Sequence, residues 1–437
     1  MELFKTFDNT FFQKHNIKLY GSDYTTYDII NDYLEDNQTE HAFFIVDLGE
    51  LTNSYNKWIT LLPDVKPYYA VKCNPNKVLL EALSNLGCNF DCASENEIKN
   101  IIEITNNPSR IIFANPCKMS SQIRYARAND VDLMTFDCEE ELYKIKLYHP
   151  YAKLILRLAV DDSNSKCKFN KKFGCKLEQV EEILKITKTL KLDIVGFSFH
   201  VGSGCSSPQS FYEAISECKK ASEIAKSIGI KINIIDIGGG FPGKNTNICF
   251  EDIAEKVNDA MNDFFSEEIL NKEIQFIAEP GRYFAQKSHI LVLNVIGKKI
   301  MYETKDKNED KNEDKNEDKN EDKNEDKNED KNEDKNDKEK TIVYYLNDGI
   351  YGSFNCIYFD HGTPIILPFN ERDEKLYKSI IFGPTCDSID LISENIMLPE
   401  LAIGEWVYVE DFGAYTAASS SAFNGFKTSL YKYIFTS

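Results

Sequence analysis

Two rhythms of apolar and polar positions interleave along residues 40–284. Short apolar runs of strand length read AFFIVDL (42–48), YYAVKC (68–73), NFDCA (89–93), RIIFAN (110–115), DLMTFD (132–137), KLILRLAV (153–160), IVGFSFHV (194–201), INIIDIG (232–238) and IQFIAE (274–279). Between most of them lie amphipathic stretches of helical period, such as EQVEEILKITKTL (178–190) and FYEAISECKKASEIAKSIG (211–229). Strand and helix in repeated alternation predict a parallel sheet, because each helix is the crossover that returns the chain to the same end of the sheet. Eight such units close a (β/α)8, TIM-type barrel over residues 41–284. Nine strand candidates are one too many, and the first is the one expected to belong elsewhere.

The pattern changes after residue 284. Runs such as HILVLNVIGKK, TIVYYLN, SIIFGP and WVYVED are separated by turn residues, and helical period is nearly gone. This predicts an α/β chain whose C-terminal part, 285–437, is an antiparallel β domain. Inside it, residues 307–334 are the tetrapeptide Lys-Asn-Glu-Asp repeated seven times. A segment without one apolar side chain has no surface to bury against the entropy of ordering, so 303–340 is expected to be a disordered, solvated insertion. The strands on either side of it place the insertion within a hairpin, between Met301 and Thr341.

Charge and cysteine content narrow the class. The 437 residues carry a net charge of −20, and residues 303–340 hold 11 lysines against 18 acids, a net of −7 that leaves −13 for the rest. Nucleic acid is therefore not expected as a partner, whereas a cationic substrate suits an acidic field. No apolar run is long enough to span a bilayer, and Met1 to Ile17 contains Glu2, Lys5, Asp8 and Lys14 rather than a signal-peptide core. A cytoplasmic location follows as the expectation. The 12 cysteines include no C-x-x-C pair, so free thiols and no metal centre are expected.

Several strand ends carry chemistry. Lys72 closes a strand in PYYAVKCNP, where barrel active sites are built, and an amine there suits a Schiff base with an aldehyde cofactor. Gly238, Gly239 and Gly240 in DIGGGFPG let backbone N–H groups approach an anion, but without the spacing of a dinucleotide or triphosphate loop. In EPGRYF, Glu279 suits a pyridine nitrogen, and Arg282, beyond Pro280 and Gly281, suits a phosphate. His200 and Ser203 in HVGSGC suit an aromatic ring face and a phosphate. Cys386 and Asp387, in FGPTCDSID, offer an acid beside a carboxylate. Taken singly, each also fits a solvent-facing lysine, a tight turn, a surface ion pair, a satisfied core histidine or a buried structural cysteine.

Taken in order, PYYAVKCNP, FDCASENEI, FANPCK, DDSNSKCKFNKKFG, GFSFHVGSGC, DIGGGFPG, EPGRYF, NDGIYGSFNCIYFDH, FGPTCDSID and FGAYT resemble the motifs of the eukaryotic ornithine decarboxylases, from about residue 40 to 426. The resemblance implies an alanine-racemase-like barrel, with residues 1–40 packed on the β domain. It also implies a head-to-tail homodimer whose two active sites are shared between subunits. It implies pyridoxal 5′-phosphate as cofactor and L-ornithine as substrate, decarboxylated to putrescine in the first step of polyamine biosynthesis. By position, Lys72 resembles the Schiff-base lysine, His200 the stacking imidazole and Glu279 the partner of the pyridine nitrogen. Ser203, Gly240, Arg282 and Tyr415 match phosphate ligands, while Asp91, Glu97 and Arg157 match residues around the cofactor and its lysine. Cys386 resembles the proton donor. Asp387 and Asp360, with Tyr351 nearby, match the readers of the substrate's distal ammonium. Phe359 departs from the pattern, standing where the family commonly has tyrosine, and the Lys-Asn-Glu-Asp repeat departs from it too. Decarboxylases of lysine, arginine or diaminopimelate share the fold, and inactive relatives of the family bind the small inhibitor protein antizyme. Lys72, His200, Glu279, Arg282 and Cys386, parts of the constellation that such relatives lose in part, are all present.

Overall fold

The computed structural model describes residues 7–37, 39–245, 248–304, 338–370 and 372–437. Eight parallel strands form a closed barrel in chain order: Val65–Ala70, Asn89–Cys92, Ile111–Phe113, Leu133–Phe136, Lys153–Arg157, Asp193–Ser198, Ile234–Asp236 and Gln275–Ala278. The last pairs with the first, Ile277 opposite Lys66, and closes the ring. Eight of the nine predicted strand runs therefore supply the barrel. The ninth, Phe43–Asp47, pairs antiparallel with His289–Thr304 and parallel with Leu430–Thr436. Its residues are almost wholly buried on both faces, which is why it reads like a barrel strand.

The second body is one nine-stranded sheet. It is mixed rather than purely antiparallel. Lys338–Leu346 runs parallel to Leu376–Phe382, and Leu430–Thr436 lies parallel to both Lys18–Tyr20 and Phe43–Asp47. These pairs are joined by long connections, which a parallel pair requires. Among the described residues, Lys18–Tyr20 takes its place in the sheet only through Leu430–Thr436. His289–Thr304 and Lys338–Leu346 form the hairpin predicted around the repeat, with Met301 opposite Thr341. The repeat itself lies outside the described residues.

Two local devices hold the barrel mouth. After Lys72 the chain turns at once into helix Lys77–Leu86, whose first turn is capped by the Asn76 side chain, accepting from Val78 and Leu79 N–H, and whose end is set by Gly87 in the left-handed region at φ 99°. Trp58, fully buried on helix Leu48–Leu61, stacks on Phe250 and meets Phe241 and Tyr283 edge-on. Phe241 belongs to the triple-glycine motif and Tyr283 to EPGRYF, so one aromatic cluster fixes both loops. A buried polar anchor accompanies it. The Lys118 ammonium of FANPCK has no exposed surface and bonds the Asn115 and Thr135 carbonyls, with Glu141 at 3.1 Å.

Candidate active site

Six side chains issue from the C-terminal ends of barrel strands or the residues just beyond: Lys72, Asp91, Arg157, His200, Asp236 and Glu279. The Lys72 amino group bonds the Asp91 carboxylate, and Asp91 is 1% exposed. Burial alone would lower the lysine's pKa, but Asp91, Glu279 and Tyr415 outweigh it and hold the ammonium above its ordinary value. His200 behaves in the opposite way. Burial, with Arg157 and Lys72 nearby, pushes it well below its ordinary value, so the ring is neutral. Its Nδ1 accepts the Gly202 N–H at 2.9 Å, and Phe169 meets its ring edge-on at 4.8 Å.

Glu279 and Asp236 are both pushed up, by burial first; the charges of Asp236 and Asp91 raise Glu279 further, while the Gly238 N–H and Glu279 hold Asp236 partly back. Two buried carboxyls that cannot both ionise hold a proton between them. Asp236 is anchored by the Gly238 N–H at 2.9 Å. In the sequence Asp236 is masked by the glycine turn it opens; its place as a third strand-end acid, beside Asp91 and Glu279, is the signal that marks it.

The remaining residues form a cradle beside this group. Lys72, His200, Ser203, Gly239, Gly240, Glu279, Gly281, Arg282 and Tyr415 line one pocket, with Ala70, Gly204 and Phe241. A Cβ at Gly239 would lie 2.9 Å from His200 Nε2 and 3.0 Å from the Glu279 carbonyl, so only glycine fits. Arg282 Nη2 donates to Ser203 Oγ at 3.2 Å, and the guanidinium lies over the Tyr415 ring at 5.1 Å. The same Nη2 bonds both oxygens of Asp360 at 2.7 Å. Asp360, expected at the substrate's ammonium, is thus bonded to the cation expected to hold phosphate. Burial pulls the Arg282 guanidinium down, and Asp360 more than restores it.

The other expected residues are placed differently. Glu97 turns back to accept the Ala93 N–H at 2.6 Å, and burial raises its carboxyl. Arg157 is held over the Phe173 ring at 5.2 Å. Gly238 and Pro280 hold the loops without lining the pocket. Cys386, Asp387, Tyr351 and Phe359 lie outside the pocket of their own chain. Cys386 is exposed, Phe359 is 73% exposed, and the Tyr351 hydroxyl donates to Asp387 at 2.6 Å, which keeps that carboxyl below its ordinary value.

The pocket suits pyridoxal phosphate. Among the described residues, Asp91 Oδ1, Arg157 Nη2 and Asp236 Oδ2 are buried without a hydrogen-bond partner around the lysine. Orphans at such a site call for a polar ligand. Lys72 suits an aldehyde, the Glu279–Asp236 pair a ring nitrogen, and Ser203, Gly240 and Arg282 a phosphate.

Residues 48–286 match the family described as pyridoxal-dependent decarboxylase, pyridoxal binding domain. The chain belongs to this family of pyridoxal-phosphate-dependent decarboxylases. Within it, the chain is 41% identical over 97% of its length to antizyme inhibitor 2 of Xenopus laevis, covering 88% of that protein. It is 39% identical to ornithine decarboxylase of Rattus norvegicus over 92% of its own length and 83% of the relative's. The crystal structure of the Paramecium bursaria Chlorella virus arginine decarboxylase superposes with a TM-score of 0.80 at 34% identity, covering 94% of this chain and 100% of that one.

Proposed function

We propose that the chain decarboxylates L-ornithine to putrescine and carbon dioxide, the entry step to polyamines. The observation that carries this reading is the complete constellation around Lys72, together with two further acids, Asp360 beside the cradle and Asp387 on an exposed turn, to meet a second ammonium. A buried acid that pairs with a substrate ammonium rejects analogues lacking that charge by large factors.

Pyridoxal phosphate, when bound, supplies an aldehyde that links to an amine and a ring that accepts the electron pair left by carbon dioxide. Lys72 would hold the aldehyde, and Asp91 beside it would receive the proton that the lysine ammonium sheds. Glu279, kept protonated by burial and Asp236, would present its proton to the ring nitrogen. The neutral His200 covers a ring face without adding a cation that would compete with that proton. Ser203, Gly240, Arg282 and Tyr415 hold the phosphate. The Cys386 thiol returns a proton to the α-carbon. Its exposed place outside the lining of its own chain's pocket supports a head-to-tail homodimer in which Cys386 and Asp387 serve the partner's site.

Carbon dioxide release from ornithine, lysine and arginine, compared by kcat/KM, tests the substrate. Ornithine should lead; a preference for arginine or lysine overturns the assignment. The relative named antizyme inhibitor 2 favours a second reading, binding of antizyme by a chain without turnover. Antizyme capture combined with no carbon dioxide from any of the three would establish it in place of the first.

A further inference from the structure

The turn that carries Cys386 is held from two sides. Beneath it lies Asp390, 1% exposed, whose carboxylate accepts the Ile350 and Thr385 N–H groups at 2.8 and 2.9 Å and so ties the turn to the Tyr351 segment. Above it lies the exposed segment 421–425. Ser421 N–H bonds the Tyr351 carbonyl at 2.8 Å, the Phe423 ring stacks on Tyr351 at 4.2 Å, and Asn424 Oδ1 accepts the Cys386 backbone N–H at 2.9 Å. The last bond is the only one of these made by the cysteine itself.

Asn424 reaches it through an uncommon backbone. Its φ is 54°, in the left-handed region, and Gly425 follows at φ 78°. Asparagine is among the few residues that enter that region readily, and its short amide then folds back toward a neighbouring N–H. Most other side chains would lose the conformation, the acceptor or both.

We propose that Asn424 is a positioning residue for the Cys386 thiol. Holding the cysteine's own N–H, it fixes where the turn presents the proton donor. This rests on the assignment of Cys386 as that donor. Proton transfer needs the donor within about 3 Å of the receiving atom, and a misplacement of about 1 Å is costly. When carbon dioxide leaves, the C–C bond electrons stay on the substrate. A thiol proton delivered to the α-carbon gives the amine, and the thiolate is reprotonated from water. A proton that reaches the cofactor's carbon instead leads, with water, to an aldehyde and the aminated cofactor.

Two variants separate the bond from the backbone. Asn424→Gly keeps the left-handed turn and removes the acceptor; Asn424→Asp keeps both. Two readouts are needed on the holoenzyme: the ratio of aldehyde to amine product, and the rate of Cys386 alkylation by iodoacetamide, read by peptide mapping because Cys117 is also exposed. Asn424→Gly should raise the aldehyde share roughly tenfold, a part of the 100- to 10,000-fold that a placed acid contributes. It should also change the alkylation rate, and Asn424→Asp should restore both toward wild type. Unchanged alkylation and product ratio in Asn424→Gly overturns the proposal. Cys386→Ala is the control for the donor assignment. If its product ratio stays normal, the thiol is not the donor, whereas the alkylation rates still decide whether Asn424 positions it.

Discussion

Both carboxylate oxygens of Asp360 lie 2.7 Å from one nitrogen of Arg282, its Nη2. An arriving phosphate and this carboxylate compete for the same guanidinium, which is 20% exposed. Asp360→Asn should therefore bind pyridoxal phosphate more tightly. A charge-assisted hydrogen bond contributes about 1.5–3 kcal/mol, reduced here by partial exposure, so the gain should be about three- to tenfold in Kd. Titration followed by visible absorbance checks it. Equal or weaker binding would mean that Asp360 and phosphate share the cation without competing.

The separation of Cys386 from its own pocket yields a test of subunit sharing. Lys72→Ala subunits, inactive alone, and Cys386→Ala subunits, which form little putrescine alone, are mixed and allowed to exchange, and putrescine formation is followed. If the two residues act across the interface, a heterodimer has one site with both defects and one with neither. Random mixing makes about half the dimers heterodimers, so roughly a quarter of wild-type activity returns. With exchange confirmed by differential tags, no recovery places both residues in one chain's site.

A pH dependence follows from His289. This fully buried histidine bonds Asn74 at 3.1 Å and Ser288 at 2.9 Å, between barrel and sheet. Burial pushes its pKa down to about 3 from 6.5. Between those values the unfolded chain takes up a proton that the folded chain refuses, so stability falls as pH falls through the window. The slope is about 1.4 kcal/mol per pH unit. Denaturant unfolding at pH 6.5 and 5 should show a loss of about 2 kcal/mol that His289→Asn lacks. Equal losses in both proteins would assign the acid sensitivity to other groups.

The hairpin register makes the insertion dispensable. The paired strands run out to Thr304 opposite Lys338, one strand spacing apart, a gap that a two-residue turn closes. Replacing residues 305–337 by Asn-Gly should leave turnover unchanged and move Tm by no more than a few degrees, because shortening a loop by this much alters its closure entropy by only about 2–3 kcal/mol. A large fall in either would give the segment a role in the folded enzyme.

The barrel is legible because each of its strands sits between helical stretches, and the period itself changes at the boundaries. Phe43–Asp47 carries the same apolar signature, since burial on both faces looks alike in any sheet. Strand direction in the second sheet is not legible, because a short apolar run carries no sign of its partner. Lys72, His200, Glu279 and Arg282 announce themselves at strand ends. The Arg282–Asp360 bond spans 78 residues and no local pattern encodes it. Asp236 was hidden by the glycines that follow it, and Asn424 by lying in an exposed loop whose value depends on a turn 38 residues away.

The placing of Leu430–Thr436 between Lys18–Tyr20 and Phe43–Asp47 also sets an order of events during synthesis. All eight barrel strands, from Val65 to Ala278, leave the ribosome before that strand exists. Lys18–Tyr20 must wait for a partner made some 410 residues later, roughly 20–80 seconds at ordinary elongation rates. For that interval the apolar face of helix Thr26–Asp36, with Ile29 and Ile30, is only partly covered, since Phe43, Ile45 and Val292 of its cluster are made before Ile434. The nascent chain thus carries every barrel strand while its sheet is still unfinished, and that partly open face is where a ribosome-bound chaperone would have most to hold.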